Sequence, residues 1–370
     1  MNKLFLLLVL IGVNGLLLSC GSSGSDDPIA PPAEEPEPPK NNRPKNIGEY
    51  NQTTDGLKDY YTQSGYFDVG VAIEPNALDD AAAVTLMKRH FNSLTAENVM
   101  KWSSLQPTEG NFNWANADKI VSFAQANELR VRGHTLCWHS QVPDWIFTED
   151  GQTASKEKVL QRLRDHITAV VGHFKGKVYA WDVVNEAVAD DGGFRASNWY
   201  NICGTDYIVE AFRAARAADP DAKLFYNDYN ATSPIKRNKI YELLELLKSE
   251  FLVDGVGLQG HWQLDNPSNS YIRDAFDKYK SLGLVLQITE MDVSTGSAGS
   301  YTTSVENDQA NAYSRYFTKF REYKTDITSV TFWALNDAKS WLNKPGSPNF
   351  PMLFDADYRP KKSYFKVIDF

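Results

Sequence analysis

The sequence is poor in cysteine and in positive charge. It has 3 cysteines in 370 residues, and 47 acidic residues outnumber 38 basic ones to give a formal net charge of -9. This balance argues against a nucleic-acid partner, because such a protein needs a basic face to displace the counterions of phosphate. Apart from the N-terminal cysteine, Cys137 and Cys203 allow one disulfide at most. Two free thiols are favoured, and the neighbouring residues do not have metal-ligand spacing.

Motifs of two other enzyme chemistries are also missing. No Gly-rich phosphate loop follows the first predicted strand, and the histidines do not have the spacing of a zinc protease. These patterns point to no metal and to no cofactor. The sequence does have 9 Trp and 18 Tyr. Such rings suit clefts that bind sugars, since the C–H faces of a sugar ring stack on indoles.

A run of mostly apolar residues covers Leu4–Leu18 near the N-terminus. It is too short for a comfortable membrane span and is typical of a signal peptide. The run ends in Leu17-Leu18-Ser19-Cys20, which resembles a bacterial lipobox, where the cysteine becomes the lipidated first residue of the mature protein. We predict a lipoprotein signal peptide over residues 1–20 and a membrane anchor on Cys20. Ordinary signal cleavage is the alternative.

A tether is predicted for residues 21–46. This segment is rich in Gly, Ser, Pro and acidic residues and has almost nothing apolar to bury, so we expect it to be disordered. Its Ser25-Asp26-Asp27 resembles the surface-export signals of some bacterial lipoproteins, but an ordinary acidic linker fits equally well. We therefore predict an outer-membrane lipoprotein of the cell envelope, with periplasmic and surface display both open. A monomer is expected.

Residues 47–370 alternate short apolar runs with longer segments of helical period. Eight strands are predicted: Phe67–Ile73, Phe91–Ala96, Arg130–Trp138, Ala180–Asn185, Lys223–Tyr229, Val256–Gly260, Leu284–Thr289 and Ser329–Leu335. Amphipathic helices are predicted over 159–174, 235–251 and 305–323. Strands separated by helices pair in parallel. Eight such units close a single α/β domain, a (β/α)8 or TIM barrel.

Polar and aromatic residues gather where the predicted strands stop. Active sites of such barrels lie at the C-terminal ends of the strands. Two of these ends carry a glutamate: Trp181-Asp182-Val183-Val184-Asn185-Glu186-Ala187 after the fourth strand, and Thr289-Glu290-Met291-Asp292 after the seventh. Strands four and seven face each other across the barrel mouth. Two carboxyls in that relation suit glycoside hydrolysis, in which one donates a proton and the other attacks or stabilises the anomeric carbon.

These segments resemble glycoside hydrolase family 10, whose members are mainly endo-β-1,4-xylanases. The resemblance covers roughly Ile47 to Phe370. Further motifs carry it in order: Ala96 to Trp102, Gly133 to Gln141, Asn227 to Asn230, Gln259 to His261, Phe332-Trp333 and Ser340-Trp341. It implies hydrolysis of internal β-1,4-xylosidic bonds of xylan with retention of configuration, with xylan and xylo-oligosaccharides as binding partners. A retaining pair has its carboxyls ~5–5.5 Å apart.

The resemblance also implies roles for single residues. Glu186 is the expected acid/base and Glu290 the expected nucleophile, and His261 and Asp292 are expected to hold the nucleophile by hydrogen bonds. The expected substrate contacts are Glu97, Asn98, Lys101, His139, Asn185, Gln259, His261, Trp333 and Trp341. The acid must hold a proton near neutral pH, which requires burial or a nearby negative charge to raise its pKa.

Other residues of the same segments are expected to be structural. Asp182 is interpreted as a partner inside the barrel, and Trp102 and Trp181 as packing residues. His90 is expected to be structural. His134 is expected to be buried and hydrogen-bonded near the cleft, with a role in the site as the alternative. His166 and His173 are expected on the solvent face of their helix.

Two rival interpretations remain open. One is a glycanase of the same fold that prefers mixed-linkage glucan or cellulose. Glucose units carry a hydroxymethyl group that xylose lacks. Trp333 and Trp341 are the candidates for crowding that group out, and in a glucanase they would not do so. The other is a glycan-binding lipoprotein without catalysis, although a binding protein has no need for a supported nucleophile.

Overall fold

The alternation of apolar strands and amphipathic helices produces a closed parallel sheet. A computed structural model of the chain describes residues 51, 54–296 and 299–370. The barrel strands are β1 (Asp68–Ile73), β2 (Ser93–Ala96), β3 (Arg130–Cys137), β4 (Ala180–Asn185), β5 (Lys223–Asp228), β6 (Gly255–Leu258), β7 (Val285–Ser294) and β8 (Ile327–Phe332). Each pairs in parallel with the next, and β8 pairs with β1. The predicted (β/α)8 barrel is confirmed.

Helices surround the sheet and connect its strands. In the described part of the chain they are α1 (Leu57–Tyr60), α2 (Ala81–His90), α3 (Trp102–Leu105), α4 (Ala115–Ala126), α5 (Lys156–His173), α6 (Asn198–Cys203), α7 (Asp206–Ala218), α8 (Pro234–Ser249), α9 (Asn269–Lys280), α10 (Thr303–Glu322) and α11 (Lys362–Ile368). Short 3-10 turns cover Pro75–Asp79, Asp144–Phe147 and Asp337–Lys339, and a small hairpin pairs Thr148–Glu149 with Gln152–Thr153.

Helix α5 shows how the pattern specifies an element. The Ser155 side chain caps its first turn by accepting a hydrogen bond from the Lys158 backbone amide, which satisfies a donor that the helix itself leaves free. Its apolar face is fully buried along Val159, Leu163 and Ile167. Burial of each such side chain contributes roughly 1.5–3 kcal/mol, so this face holds the helix to the barrel.

Strand β7 is longer than predicted. The sequence placed its end at Thr289, but the strand continues to Ser294. Its last residues pair with a short strand, His261–Gln263, with Asp292 opposite His261. Glu290 and Asp292 are therefore inside a strand and buried rather than in the loop that follows it. The polar residues after Thr289 suggested that the strand ends there, but backbone pairing extends it by five residues.

The interior of the barrel has a polar centre. Arg132 on β3 donates both ends of its guanidinium to Asp182 on β4 and donates a third hydrogen bond, of 2.7 Å, to Gln287 on β7. All three side chains are buried. Asp182 is thus a structural partner, as predicted. Trp181, on the other face of β4, is fully buried against Gly133, where an added Cβ would lie 2.1 Å from the indole.

The expectation that His166 lies on the solvent face is wrong. Its imidazole is buried, stacks on Trp102 with ring centroids 3.7 Å apart, and lies 2.7 Å from the side-chain oxygen of Gln106. His166 lies beside the apolar stripe of α5, where the α3 segment covers it. His173, the last residue of the helix, is half-buried beside Trp114 and Asp118. Spacing along one helix does not show which neighbour packs on its flank.

The remaining predictions concern single buried residues, the cysteines and the N-terminal segment. Trp102 and His90 are buried, which agrees with the packing role expected for the first and the structural role expected for the second. Cys137 and Cys203 are buried free thiols. The predicted signal peptide, Cys20 and the tether up to residue 46 lie outside the described residues. In the part of the chain that the structure describes, no helix has the length and apolarity needed to cross a membrane.

A buried neutral histidine makes the free energy of unfolding depend on pH. Burial lowers the pKa of His166 to about 3, so the unfolded chain binds a proton below pH 6.5 that the folded chain does not. Stability present above pH 6.5 is lost as the pH falls towards 3. Between pH 7 and 5, this residue should lower the free energy of unfolding by about 2 kcal/mol. Urea titrations of the parent and of His166→Phe measure it.

The variant should show a shallower loss over this range, because phenylalanine retains the stack on Trp102 but binds no proton. His173→Phe, on the same helix, controls for the added ring. Equal loss of stability in the parent and in His166→Phe would contradict the assignment of this loss to His166.

Candidate active site

A cleft of about 610 Å³ opens at the C-terminal ends of the barrel strands. Its lining residues are Glu97, Asn98, Lys101, His134, Trp138, Gln141, Asn185, Glu186, Tyr229, Asn230, Gln259, His261, Glu290, Trp333 and Trp341. The structure therefore brings together nearly all of the predicted site residues. The other two lie beside the cleft, since His139 lies 3.9 Å from Glu186 and Asp292 contacts His261.

Glu290 is held as a buried anion. One carboxylate oxygen accepts a hydrogen bond of 2.8 Å from the Asn227 side chain, and the other lies 3.1 Å from His261 Nε2. Burial by itself raises the pKa of this carboxyl, but the hydrogen bond and the charge of His261 outweigh it and hold the pKa below its usual value. Both oxygens are fixed, so this group is an anion of defined orientation.

His261 is held between two carboxylates. Its Nε2 contacts Glu290, and its Nδ1 lies 2.8 Å from Asp292. Ionised carboxylates only accept hydrogen bonds, so both ring nitrogens must donate and the ring is an imidazolium. Burial opposes that charge, but Asp292 and Glu290 outweigh burial and raise the pKa of His261 to about 10. Trp341 donates from its indole nitrogen to the same Asp292 oxygen at 3.0 Å.

Glu186 has a different environment. Its Oε1 accepts a hydrogen bond of 2.9 Å from Gln259, whereas its Oε2 lies 3.9 Å from His139 and accepts no hydrogen bond from any described residue. The side chain is 13% exposed, against 6% for Glu290. One oxygen of Glu186 is therefore available to hold or give up a proton, which neither oxygen of Glu290 is.

Side-chain amides bridge the two carboxyls. Asn227 contacts Glu290, the Asn185 and Asn227 amides lie 2.9 Å apart, and Gln259 lies 3.3 Å from Asn185 and 2.9 Å from Glu186. Thr289 donates to the Asn227 oxygen at 2.6 Å, which fixes that amide. These residues come from strands β4, β5 and β7 and the end of β6. The position of one carboxyl is thus linked to that of the other.

A second group of charges lies at the end of β2. Lys101 donates to Asn98 at 2.8 Å, and Asn98 in turn donates to Glu74. Burial and the neighbouring Glu74 carboxylate raise the pKa of Glu97 to about 7, and burial lowers the pKa of Lys101. Such partly desolvated groups interact strongly with the hydroxyls of a polar ligand.

Tryptophans form the remaining wall. Trp333 is 7% exposed and meets His134 edge-on at 5.2 Å, whereas Trp341 is 47% exposed and meets His261 edge-on at 5.2 Å. His134 is hydrogen-bonded to Asp182 at 2.9 Å below them. The exposed face of Trp341 offers a stacking surface for a sugar ring.

One group in the described part of the chain has the residue types of a metal site. Ligand atoms of His134, Asp182 and Glu290 lie within 4.8 Å of one another. However, Arg132 donates to both oxygens of Asp182, and His134 shares one of them. A guanidinium already supplies the positive charge at this point, so the group does not fit a cation.

Several residues of the site were not predicted. Asn227 and Gln141 have no role of their own in the sequence analysis, where they belong to motifs after β5 and β3, and for Tyr229 two interpretations are open, a residue that lines the aglycone side of the cleft or one that caps a loop. A strand-end position was the available signal for these. Glu74 had the same signal, because it directly follows β1.

A cleft with one fixed anion and one carboxyl available for proton transfer, at the C-terminal end of a (β/α)8 barrel, defines a glycoside hydrolase of the two-carboxylate kind. The comparisons with known proteins give the family. The sequence profile of glycosyl hydrolase family 10 matches residues 56–370, and the chain belongs to this family.

Relatives with similar sequences cover most of the chain. A β-1,4-xylanase of Dictyoglomus thermophilum is 42% identical over 332 residues, which cover 85% of this chain and 90% of that protein. Endo-1,4-β-xylanase B of Paenibacillus barcinonensis is 44% identical over 316 residues, which cover 82% and 95%. The crystal structure of a P. barcinonensis xylanase with a conduramine derivative matches with a TM-score of 0.82 at 41% identity, covering 86% of this chain and 99% of that one.

The charge of His261 can be tested directly. Asp292→Asn removes a carboxylate that stabilises the imidazolium, so we expect the pKa of His261 to fall from about 10 by at least about one unit. Imidazole ¹⁵N NMR of histidine-labelled protein measures it. Asp277→Asn, which changes a carboxylate paired with Tyr323, is the control. An unchanged titration of His261 in Asp292→Asn would show that Asp292 does not hold its proton.

Proposed function

We propose that this protein is a retaining endo-β-1,4-xylanase that cleaves internal β-1,4-xylosidic bonds of xylan. The observation that carries the proposal is the unequal environment of Glu186 and Glu290 in one cleft. Membership of family 10 and the xylanase names of the relatives support the substrate. The tryptophan wall and the polar groups near Glu97 suit a neutral sugar polymer.

In the first step Glu290 acts as nucleophile. A carboxylate oxygen of Glu290 bonds to the anomeric carbon, the glycosidic C–O bond breaks, and Glu186 gives its proton to the departing oxygen. The His261 imidazolium and the Asn227 amide keep Glu290 ionised and aimed at the carbon. The product is a glycosyl ester on Glu290 and a Glu186 carboxylate.

In the second step Glu186 acts as base. Formation of the ester removes the charge of Glu290, and the amides between the two carboxyls now face a single anion. Glu186 takes a proton from water, the water oxygen bonds to the anomeric carbon, and the ester bond breaks to restore Glu290. Two inversions give net retention.

The other predicted residues are proposed to hold the sugars. Asn185, next to Glu186 and bridged to Asn227, is placed to bind the hydroxyl beside the reacting carbon. Gln259 and His139, which both adjoin Glu186, would contact the same sugar. The group Glu97, Asn98 and Lys101 would bind hydroxyls of the sugar chain before the cleaved bond, with Trp333 and Trp341 as walls of the reacting sugar. His261 and Asp292 would support the nucleophile.

Hydrolysis of a polymer panel tests the proposal. Residues 47–370 are incubated with xylan, β-mannan, mixed-linkage glucan and soluble cellulose, and new reducing ends are measured. Short oligosaccharides should appear from xylan, and NMR of the first products should show the β-anomer. Glu290→Ala should lower the rate by more than about 10⁴-fold, because no covalent step remains.

The controls separate the alternatives. Glu290→Ala should still bind xylan in affinity electrophoresis, since most of the cleft is unchanged. If the parent prefers glucan over xylan, the proposed mechanism stands and the proposed substrate is wrong. Binding of xylan without products from the parent, from mildly acidic to neutral pH, would favour a glycan-binding protein.

We also propose that the chain is an outer-membrane lipoprotein anchored through Cys20. The support is the sequence Leu17-Leu18-Ser19-Cys20 after an apolar run, followed by a segment with little to bury. Several acyl chains on one residue give stable anchoring. The acidic Ser25-Asp26-Asp27 suits display on the cell surface, where a polymer too large to enter the cell would be reached.

Fractionation tests the anchor. The parent should sediment with membranes and incorporate labelled fatty acid, whereas Cys20→Ala should do neither, because the acyl acceptor is lost. Cys203→Ala is the matched control and should behave as the parent. Labelling of Cys20→Ala equal to the parent would contradict the proposal. Protection from protease in intact cells would place the anchored protein on the periplasmic side.

A further inference from the structure

The backbone at Glu186 has an uncommon conformation. Its φ is +59°, in the left-handed region that favours glycine. A glutamate stays there only when the surrounding structure fixes it, and such positions concentrate where side chains must be aimed. The question is which groups hold this residue, since the direction of its side chain follows from its backbone.

Two hydrogen bonds fix the backbone of Glu186. Its amide donates to the carbonyl of Asn227 at 2.9 Å, which ties it to β5. Its carbonyl accepts from Nε of Arg195 at 2.8 Å. The backbone amide of Arg195 also donates to the carbonyl of Ala187 at 2.8 Å, so the arginine contacts two successive carbonyls of this turn.

Arg195 is itself held on its far side. Its Nη2 donates to the Tyr229 hydroxyl at 2.7 Å. The Tyr229 ring is fixed in turn by Lys236, whose Nζ lies 3.3 Å from the ring centroid and pairs with buried Asp228 at 2.9 Å. The guanidinium therefore links the Tyr229 hydroxyl, just after β5, to the backbone carbonyl of Glu186. Charge-assisted hydrogen bonds of this kind are short and directional.

We propose that Arg195, anchored by Tyr229, is a positioning residue that holds Glu186 in the orientation needed for proton transfer to the leaving group. This inference rests on the proposed function, in which Glu186 is the acid. Among the described residues, Arg195 is not one of those that line the cleft, and its side chain contacts Glu186 at the backbone carbonyl. It acts through the Glu186 carbonyl. Loss of Arg195 misplaces the acid and leaves the nucleophile Glu290 in place.

A series of aryl β-xylobiosides tests the proposal. A departing 2,4-dinitrophenolate needs no proton, whereas phenolate does, so a misplaced acid slows poor leaving groups selectively. We expect Arg195→Gln to lower kcat/KM for the phenyl glycoside by roughly tenfold to a hundredfold, part of the ~10²–10⁴ that acid catalysis supplies. The dinitrophenyl glycoside should stay within about threefold of the parent, because its leaving group needs no acid. The aryl rings are of similar size, so binding differences largely cancel.

Matched variants separate position from charge and from stability. Arg216→Gln removes another arginine that donates to backbone carbonyls, those of Pro220 and Ala222, away from the cleft. It should lower stability without changing the leaving-group dependence. Arg195→Lys retains the charge but cannot reach both acceptors, so it should resemble Arg195→Gln. Parent behaviour in Arg195→Lys would overturn the positional role.

Tyr229→Phe provides a second test of the proposal if Arg195→Gln does not fold, because it removes only the hydroxyl that anchors Arg195. It should increase the dinitrophenyl-to-phenyl ratio by about threefold, the effect of one hydrogen bond. If Arg195→Gln folds and shows the leaving-group dependence of the parent, or if Tyr229→Phe does, the positioning role of Arg195 is refuted. The proposed function is then unaffected. A parent inactive on xylan and on every aryl xylobioside would instead refute the proposed function.

Discussion

The site depends on keeping one buried carboxylate, Glu290, ionised at the mouth of the barrel. An unpaired charge in such surroundings is costly, and the usual result is that the group becomes neutral. Here charged and hydrogen-bonding side chains lie next to one another in a row. Arg132 contacts Asp182, and His134 lies 2.9 Å from Asp182 and 4.0 Å from Glu290. Beyond Glu290, the row continues through His261.

The row ends outside the barrel interior. His261 contacts Asp292, which in turn accepts from Trp341 at the surface of the cleft. Each member is stabilised by its neighbours, so a change at one point affects the charge of the next. Removal of one partner from a buried pair costs about 3–5 kcal/mol, because the other partner is left as an uncompensated charge. The same network that fixes Glu290 therefore also contributes to the stability of the barrel.

The sequence was sufficient for the barrel and for the two carboxyls because both depend on local patterns. Eight apolar runs with helices between them favour a parallel sheet that can close into a barrel, and the C-terminal ends of parallel strands lie on the same side of the sheet. Glu186 and Glu290 each lie at such an end. The role of His261 as a doubly donating cation could not be derived, since it depends on Asp292 being paired across from it on an extended β7.

The errors have the same origin. His166 was assigned to solvent because the helical period gives only the centre of the buried face, whereas the α3 segment covers its flank. Arg195 lies in the connection after β4, and nothing in its neighbours indicates that it would return to the carbonyl of Glu186. Contacts made by loops depend on the path of the chain, which the pattern of apolar residues does not determine.

The two carboxyls are fixed by different means, and this difference matches the roles proposed for them. In the proposed mechanism Glu290 remains an anion until it bonds to carbon, and side chains already hold both of its oxygens in the free protein. In the same mechanism Glu186 gains and loses a proton in each cycle, which requires that one of its oxygens can reach the substrate. Its direction is therefore set from the backbone, through a left-handed conformation held by β5 and Arg195, while one oxygen stays open to the cleft. Orientation by the main chain leaves the carboxyl aimed and still able to change its charge.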